Sequence, residues 1–349
     1  MVTIYDVAAE AGVSIKTVSR VLNHEPSVRE ATRAKVLAVA GRLGYHPNLS
    51  ARSLAGSRSY VLAIFADAGL TLEHWRSERG TDYLARIQLG VTPPCRAAGY
   101  HVLIELIDRD PAIVRHEVKA LLAALRPDGV ILTPPSADDM LVLTLLEEAA
   151  TPFVRLGPER ADGHGLRFPL DEEAAAAGMV SHLLMLGHER IGFVEGAPGY
   201  GSSLARRRGV EAALRRQGLA PFGVAAGDYT YDSGLRAGAA LLGGRTRPTA
   251  IFASNDDMAL GCMAAAAALG LAVPADLSIA GFDDSTGARF ASPSLTSVRQ
   301  PLVELAGAAA EALIGLKVPP DCDRVGELDR PSFVLTPRQS TAPPPRRSW

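Results

Sequence analysis

The chain has 349 residues, of which 47% are hydrophobic, 21% charged and 5% aromatic. That length allows two or three packed domains, and that composition excludes a disordered or fibrous chain. Three scattered cysteines (Cys95, Cys262 and Cys322) exclude a disulfide framework and a cysteine metal cage, and they point to a reducing compartment.

The N-terminus lacks a basic stretch followed by an apolar run, and no uncharged apolar stretch reaches about 18 residues. The expected location is therefore the cytoplasm, with no membrane span. The net charge of −2 hides an asymmetry. Residues 1–59 hold eight Lys/Arg against four Asp/Glu, net +4, and the rest of the chain holds 28 against 34, net −6. A basic head on an acidic body suits a nucleic-acid-binding module joined to a sensing or catalytic domain.

The first predicted element is a short helix after Thr3. Thr3 caps it, Asp6 sits favourably in its first turn, and Ile4, Val7, Ala8 and Ala11 share one face. Gly12 ends it, since glycine adopts the left-handed backbone of a tight corner. Ser14 caps a second helix running to about Leu22. Val18, Val21 and Leu22 face inward, leaving Ile15, Lys16, Thr17 and Arg20 outside. Two helices joined by a glycine corner, with a polar outer face on the second, form the helix-turn-helix pattern. Ser27 and Glu30 form a capping box that opens a third helix, with Val36, Leu37, Val39, Ala40 and Leu43 on its apolar face. Residues 47–56 carry one or two turns of helical potential between Pro47 and Gly56. Alone, so short a helix is mostly unformed.

From Tyr60 the texture changes. Residues 60–66 are a continuous apolar run, as in a buried parallel strand. Helices near 83–98, 111–125 and 137–150 alternate with strands at 101–106, 129–133 and 152–156. A second α/β series begins with a helix near 172–186. Strands follow at 190–195, 223–226, 249–253 and 277–281, between helices at 203–217, 233–242 and 257–269. A last helix at 302–314 and a last strand near 332–335 return to the two halves. These alternations predict an α/β body of two doubly wound parallel sheets behind a small all-α head. The proline-rich residues 342–349 read as a disordered tail.

Several stretches carry a resemblance. They are Thr3–Ala8, Gly12–Ser14, Thr17–Asn23, Gly44–Asn48, Arg52–Gly56, Leu186–Gly192, Ala253–Gly261, Val273–Asp284 and Leu295–Pro301. Together they identify the chain as similar to the lactose-repressor (LacI) family of bacterial transcription regulators, over nearly everything up to Thr341. The resemblance implies a helix-turn-helix domain at 1–46 and a hinge helix or linker at 47–59. It also implies a two-lobed sensor similar to periplasmic sugar-binding proteins. The first lobe is 60–160 with 291–322, and the second is 161–290 with 323–341. A homodimer on a pseudo-palindromic double-stranded operator is implied, controlled by a small effector, expected to be a carbohydrate. No cofactor and no metal are expected.

On the matching positions, Ile15, Lys16 and Arg20 are expected to meet base edges. Arg20 suits a bidentate contact with guanine, and Ile15 suits only a thymine methyl. Thr3, Ser14, Thr17, Ser19 and Asn23 are expected to bind phosphates and set register. Leu54 corresponds to a wedge pushed into the minor groove. For the effector the resemblance implies Arg206, Tyr229, Asn255 and Asp283, with Asp67 a candidate from the other lobe. A guanidinium, an amide and a carboxylate suit a polyhydroxylated ligand, and Tyr229 suits stacking on it.

Residues 69–82 depart from the family's short turn and read as a longer loop beside the cleft, with His74, Trp75 and Arg76 either lining it or decorating the surface. The alternative class is an α/β enzyme carrying a DNA-binding appendage. Residues 199–205 are glycine-rich but match neither a phosphate loop nor Gly-x-Gly-x-x-Gly nor Gly-x-Ser-x-Gly, and the histidines lack zinc spacing.

Overall fold

The computed structural model describes residues 2–22, 27–45, 58–315, 318–319, 321–326 and 333–345. They fall into two compact units, Met1–Tyr60 and Val61–Trp349.

The head contains α1 (Ile4–Ala11), α2 (Ile15–Leu22) and α3 (Glu30–Leu43). The Asp6 carboxylate accepts from both the backbone N–H and the hydroxyl of Thr3, each at 2.8 Å, which fixes the start of α1. Gly12 takes φ 62° and ψ 38° and turns the chain. Val7, Ala8, Ala11, Val18, Val21, Val36, Val39 and Ala40 close one small core. Two expectations need correction. Leu37 points to solvent, and Glu30 opens α3 behind Arg29 rather than completing a cap with Ser27.

In the second unit the expected βαβ series is present, with additions. It runs β1 (Val61–Asp67), α4 (Ala68–Ser77), α5 (Asp82–Ala98), β2 (His101–Ile107), α6 (Pro111–Leu125), β3 (Gly129–Leu132), α7 (Met140–Glu148), β4 (Phe153–Leu156) and β5 (Leu166–Phe168). These strands form a parallel sheet of order β2-β1-β3-β4-β5. Next come α8 (Glu172–Met185), β6 (Ile191–Val194), α9 (Gly201–Arg215), β7 (Gly223–Ala225), α10 (Tyr231–Leu242), β8 (Ala250–Ala253), α11 (Asp256–Ala268) and β9 (Ser278–Ala280). Their sheet is also parallel, of order β7-β6-β8-β9. Then follow α12 (Thr286–Phe290), β10 (Ser297–Arg299), α13 (Leu302–Ile314) and β11 (Val334–Thr336), with β10 and β11 antiparallel. Each parallel sheet reverses its strand order beside β1 or β6. The crevice at the carboxyl ends of such strands is where open α/β sheets bind ligands.

The lobes exchange segments at places other than those expected. β5 extends the first sheet, and Arg167 bridges to Val325, so residues around 166–168 and 324–326 belong with the first lobe. Val298 of β10 is buried in a core of the second lobe with Phe193, Phe252 and Phe282, so the chain has not left that lobe at Ala291. The return is complete at α13, which packs on α5. There a Cβ on Gly90 would meet the backbone oxygen of Val303 and, at 2.8 Å, the Cβ of Ala306. Residues 69–77 form helix α4 rather than a loop. Asp67 caps it by accepting from the Leu70 N–H at 2.7 Å. Ala342, assigned to the tail, is instead held in the fold. Its carbonyl accepts from the buried His188 ring at 2.8 Å, and its N–H bonds the Ser278 hydroxyl at 3.0 Å.

Candidate functional site

The head presents the outer face of α2. Ser14 accepts from the Thr17 N–H at 3.1 Å, which starts the helix, and the two hydroxyls lie 2.9 Å apart. Val18 and Val21 are buried, so helical spacing leaves Ile15, Lys16 and Arg20 exposed; Ile15 is 41% accessible. Thr3 and Ser14 are also exposed, while Thr17 and Ser19 are half-buried. An exposed isoleucine between polar neighbours is unsatisfied as a core residue and available for apolar contact. Asn23, Leu54 and the hinge around it lie outside the described residues.

In the second unit one cleft of about 1070 Å³, part of it open to solvent, lies between the lobes. Asp67, Arg206, Tyr229, Asn255 and Asp283 all line it. The fold explains the convergence: Asp67 ends β1, Asn255 follows β8, Asp283 follows β9, and Arg206 projects from α9.

Each of these side chains also has bonds within the protein. Arg206, 5% exposed, donates to both carboxylate oxygens of Glu172, at 2.7 and 3.1 Å, and to the Ser254 carbonyl. Its guanidinium carbon sits 3.7 Å from the centre of the Phe282 ring. Burial would lower its pKa, but Glu172 raises it above the ordinary arginine value. Asn255 caps α11 by accepting from the Met258 N–H at 3.0 Å, and its amide donates to the Tyr229 carbonyl at 2.9 Å. Tyr229 has a left-handed backbone, φ 70°, and its hydroxyl lies 3.1 Å from Ser202 Oγ. Its ring meets Tyr200 edge-on at 5.3 Å. Asp67 pairs with Arg109 at 2.6 Å.

Asp283 is half-buried, with the Gln300 amide 3.4 Å from its carboxylate. Burial pushes its carboxyl well above the usual carboxylate range; Arg206 opposes the shift, and Asp256 and Glu172 add to it. Burial likewise raises Asp257 to about 6, with Asp82 adding, and raises Asp256 to about 7 against hydrogen bonds from Ser297 and Ser285.

The α4–α5 region spans the cleft. Leu70 packs against the second-lobe core, and His74 Nε2 lies 3.4 Å from the Tyr229 carbonyl. Burial lowers the His74 pKa, opposed by that carbonyl. Arg86 donates to the backbone oxygens of Asp283 (2.7 Å) and Asp284, and Asp82 accepts from the Thr286 N–H at 2.5 Å. Of the 69–82 candidates, His74 and Trp75 line the cleft, and Arg76 is not part of that lining.

Sequence reasoning missed Glu172, Asp257 and Gln300. Gln300 stands inside a quoted family stretch. Glu172 reads from sequence only as a first-turn acid of α8.

Among the described residues no helix is long and apolar enough to cross a membrane, and no cluster of His, Cys, Asp or Glu could hold a metal ion.

Comparison with known proteins agrees with this layout. Residues 3–48 match the family of bacterial regulatory proteins, lacI family, and residues 180–341 match the periplasmic binding protein-like domain. The chain is 34% identical to catabolite control protein A of Priestia megaterium, over 90% of this chain and 91% of that one. It superposes on the Lac repressor dimer bound to operator and the anti-inducer ONPF with a TM-score of 0.77 at 28% identity, covering 98% of this chain and 99% of that one. The transcriptional regulator CelR–cellobiose complex matches with a TM-score of 0.68 at 30% identity, over 97% and 100% of the two chains.

Proposed function

The chain belongs to the lacI family of bacterial regulatory proteins, and we propose that it acts as a homodimeric repressor whose grip on a pseudo-palindromic operator is set by a small hydroxylated ligand in the inter-lobe cleft. It is a DNA-binding transcription regulator with a ligand-sensing body. In the proposed mechanism Lys16 and Arg20 read base edges and Ile15 adds apolar contact. Thr3, Ser14, Thr17, Ser19 and Asn23 hold phosphates, and Leu54 wedges the minor groove. Asn255, Asp283, Tyr229, Arg206 and Asp67 surround the ligand.

The observation that carries the reading is that segments far apart in sequence deliver these side chains to one cleft at the carboxyl ends of two parallel sheets. The solved relatives bind ONPF and cellobiose, which supports a sugar-sized ligand here. Ligand binding favours one arrangement of the lobes, and a preference of about 1–3 kcal/mol changes operator affinity by the matching factor.

A binding role rather than catalysis is part of this proposal, as is action in the cytoplasm. Calorimetry of the full chain against a panel of neutral sugars, alongside a turnover assay on each, tests it. Saturable binding without turnover is expected. Turnover lost on mutating the cleft would instead favour an α/β enzyme with a DNA-binding appendage.

A further inference from the structure

Resemblance alone implies an arginine fork offered to the ligand, but the structure commits that fork elsewhere. Arg206 spends Nε and Nη2 on Glu172 and Nη1 on the Ser254 carbonyl, with both charged partners buried. Arg86, the other arginine of the lining, donates to the carbonyls of Asp283 and Asp284. What the cleft leaves unmatched is of the opposite kind. Gln300 is 4% exposed and gives its amide N–H to Asp283, while its Oε1 has no hydrogen-bond partner. Among the described residues no cationic side chain forms an ion pair with Asp283 or Asp257, and both line the cleft.

We infer that the cleft selects a hydroxylated ligand bearing a positively charged amine, such as an amino sugar, and rejects acidic sugars of the same size. The inference rests on the reading of the cleft as the effector site. An ammonium carries three donors and no acceptor, so it matches Gln300 Oε1 and the Asp283 carboxylate together. Burial and nearby acids hold that carboxyl above its ordinary range against the pull of Arg206, and an ammonium beside it adds countercharge that favours the ionised form. A ligand carboxylate offers only acceptors. It could bond Asp283 only while that carboxyl stays protonated and finds no donor at Gln300 Oε1, and drawing Arg206 away from Glu172 would leave a buried acid unpaired, which is strongly unfavourable.

Calorimetry of the full-length protein at neutral pH with matched sets tests this. The sets are glucosamine, N-acetylglucosamine, glucose and glucuronate, and the galactose counterparts. The expected result is that in at least one set the free amine binds at least about tenfold more tightly than its neutral and acidic relatives. Asp283→Asn is expected to remove that preference, and Glu172→Gln to shift the order toward the acid. An acid, parent or N-acetyl sugar binding as tightly as the amine overturns the inference and leaves the effector-site reading standing. Failure of every sugar in both sets to bind overturns the effector-site reading, and the inference with it.

Discussion

At the residue scale, several cleft side chains hold the fold while facing the cleft. Asn255 caps α11 and ties down the Tyr229 carbonyl, so truncating it removes structure as well as the ligand contact proposed for it. On α2 the division of labour is simpler. Arg20→Ala is expected to weaken operator binding by about 1–3 kcal/mol, the worth of a good bidentate base contact, with loss concentrated at one base pair per half-site. Ile15→Ala should cost less. Anisotropy titrations on operators varied at single positions check both.

Asp257 gives a pH prediction whose sign follows from burial. Its folded-state pKa, about 6, lies above the ordinary value of 3.8, so between those values the folded chain binds more protons than the unfolded one. Its contribution therefore favours folding below about pH 4 and is lost as pH rises through about 6. Asp257→Asn stays neutral throughout. It should raise the urea midpoint relative to wild type at pH 7, and the gap should close toward pH 4.

Among the elements, α4 and the α5–α13 contact do most to shape the site. Residues 69–82 read as a loop because Gly69, Thr71 and the charged 76–79 stretch break any apolar stripe; the helix depends on the Asp67 cap and on Leu70 reaching the second-lobe core. β5 and β10 also escaped notice. Each has three residues, too few for a period, and each owes its place to partners distant in sequence. The longer parallel strands were legible because burial on both faces demands continuous apolar runs. The residues around the cleft were legible through the family motifs. Glu172 was not, because its partner Arg206 is 34 residues away and only the fold brings them together.

Where α5 crosses α13, Gly90 admits no Cβ without moving backbone. Gly90→Ala should therefore destabilise the first lobe by about 1–3 kcal/mol. Chemical denaturation checks this, with the head's operator contacts untouched.

For the whole molecule, the charge division and the cleft have complementary uses. A head of net +4 attracts DNA phosphates and a body of net −6 does not, so operator affinity should fall steeply with salt. In the body, α5 already bridges the lobes through Arg86 and Asp82, and α4 through Leu70 and His74, so a ligand in the cleft acts on a contact network that joins both sheets.

In the proposed mechanism, occupancy of this cleft sets the affinity of the head for DNA. The most direct measurement is operator affinity of the full-length protein, on a sequence obtained by in vitro selection, with and without a saturating cleft ligand found by calorimetry. The expected result is a pseudo-palindromic site bound by two chains, and a ligand-dependent change of roughly 5- to 150-fold that Asp283→Asn diminishes. Operator affinity unchanged at ligand saturation would contradict it.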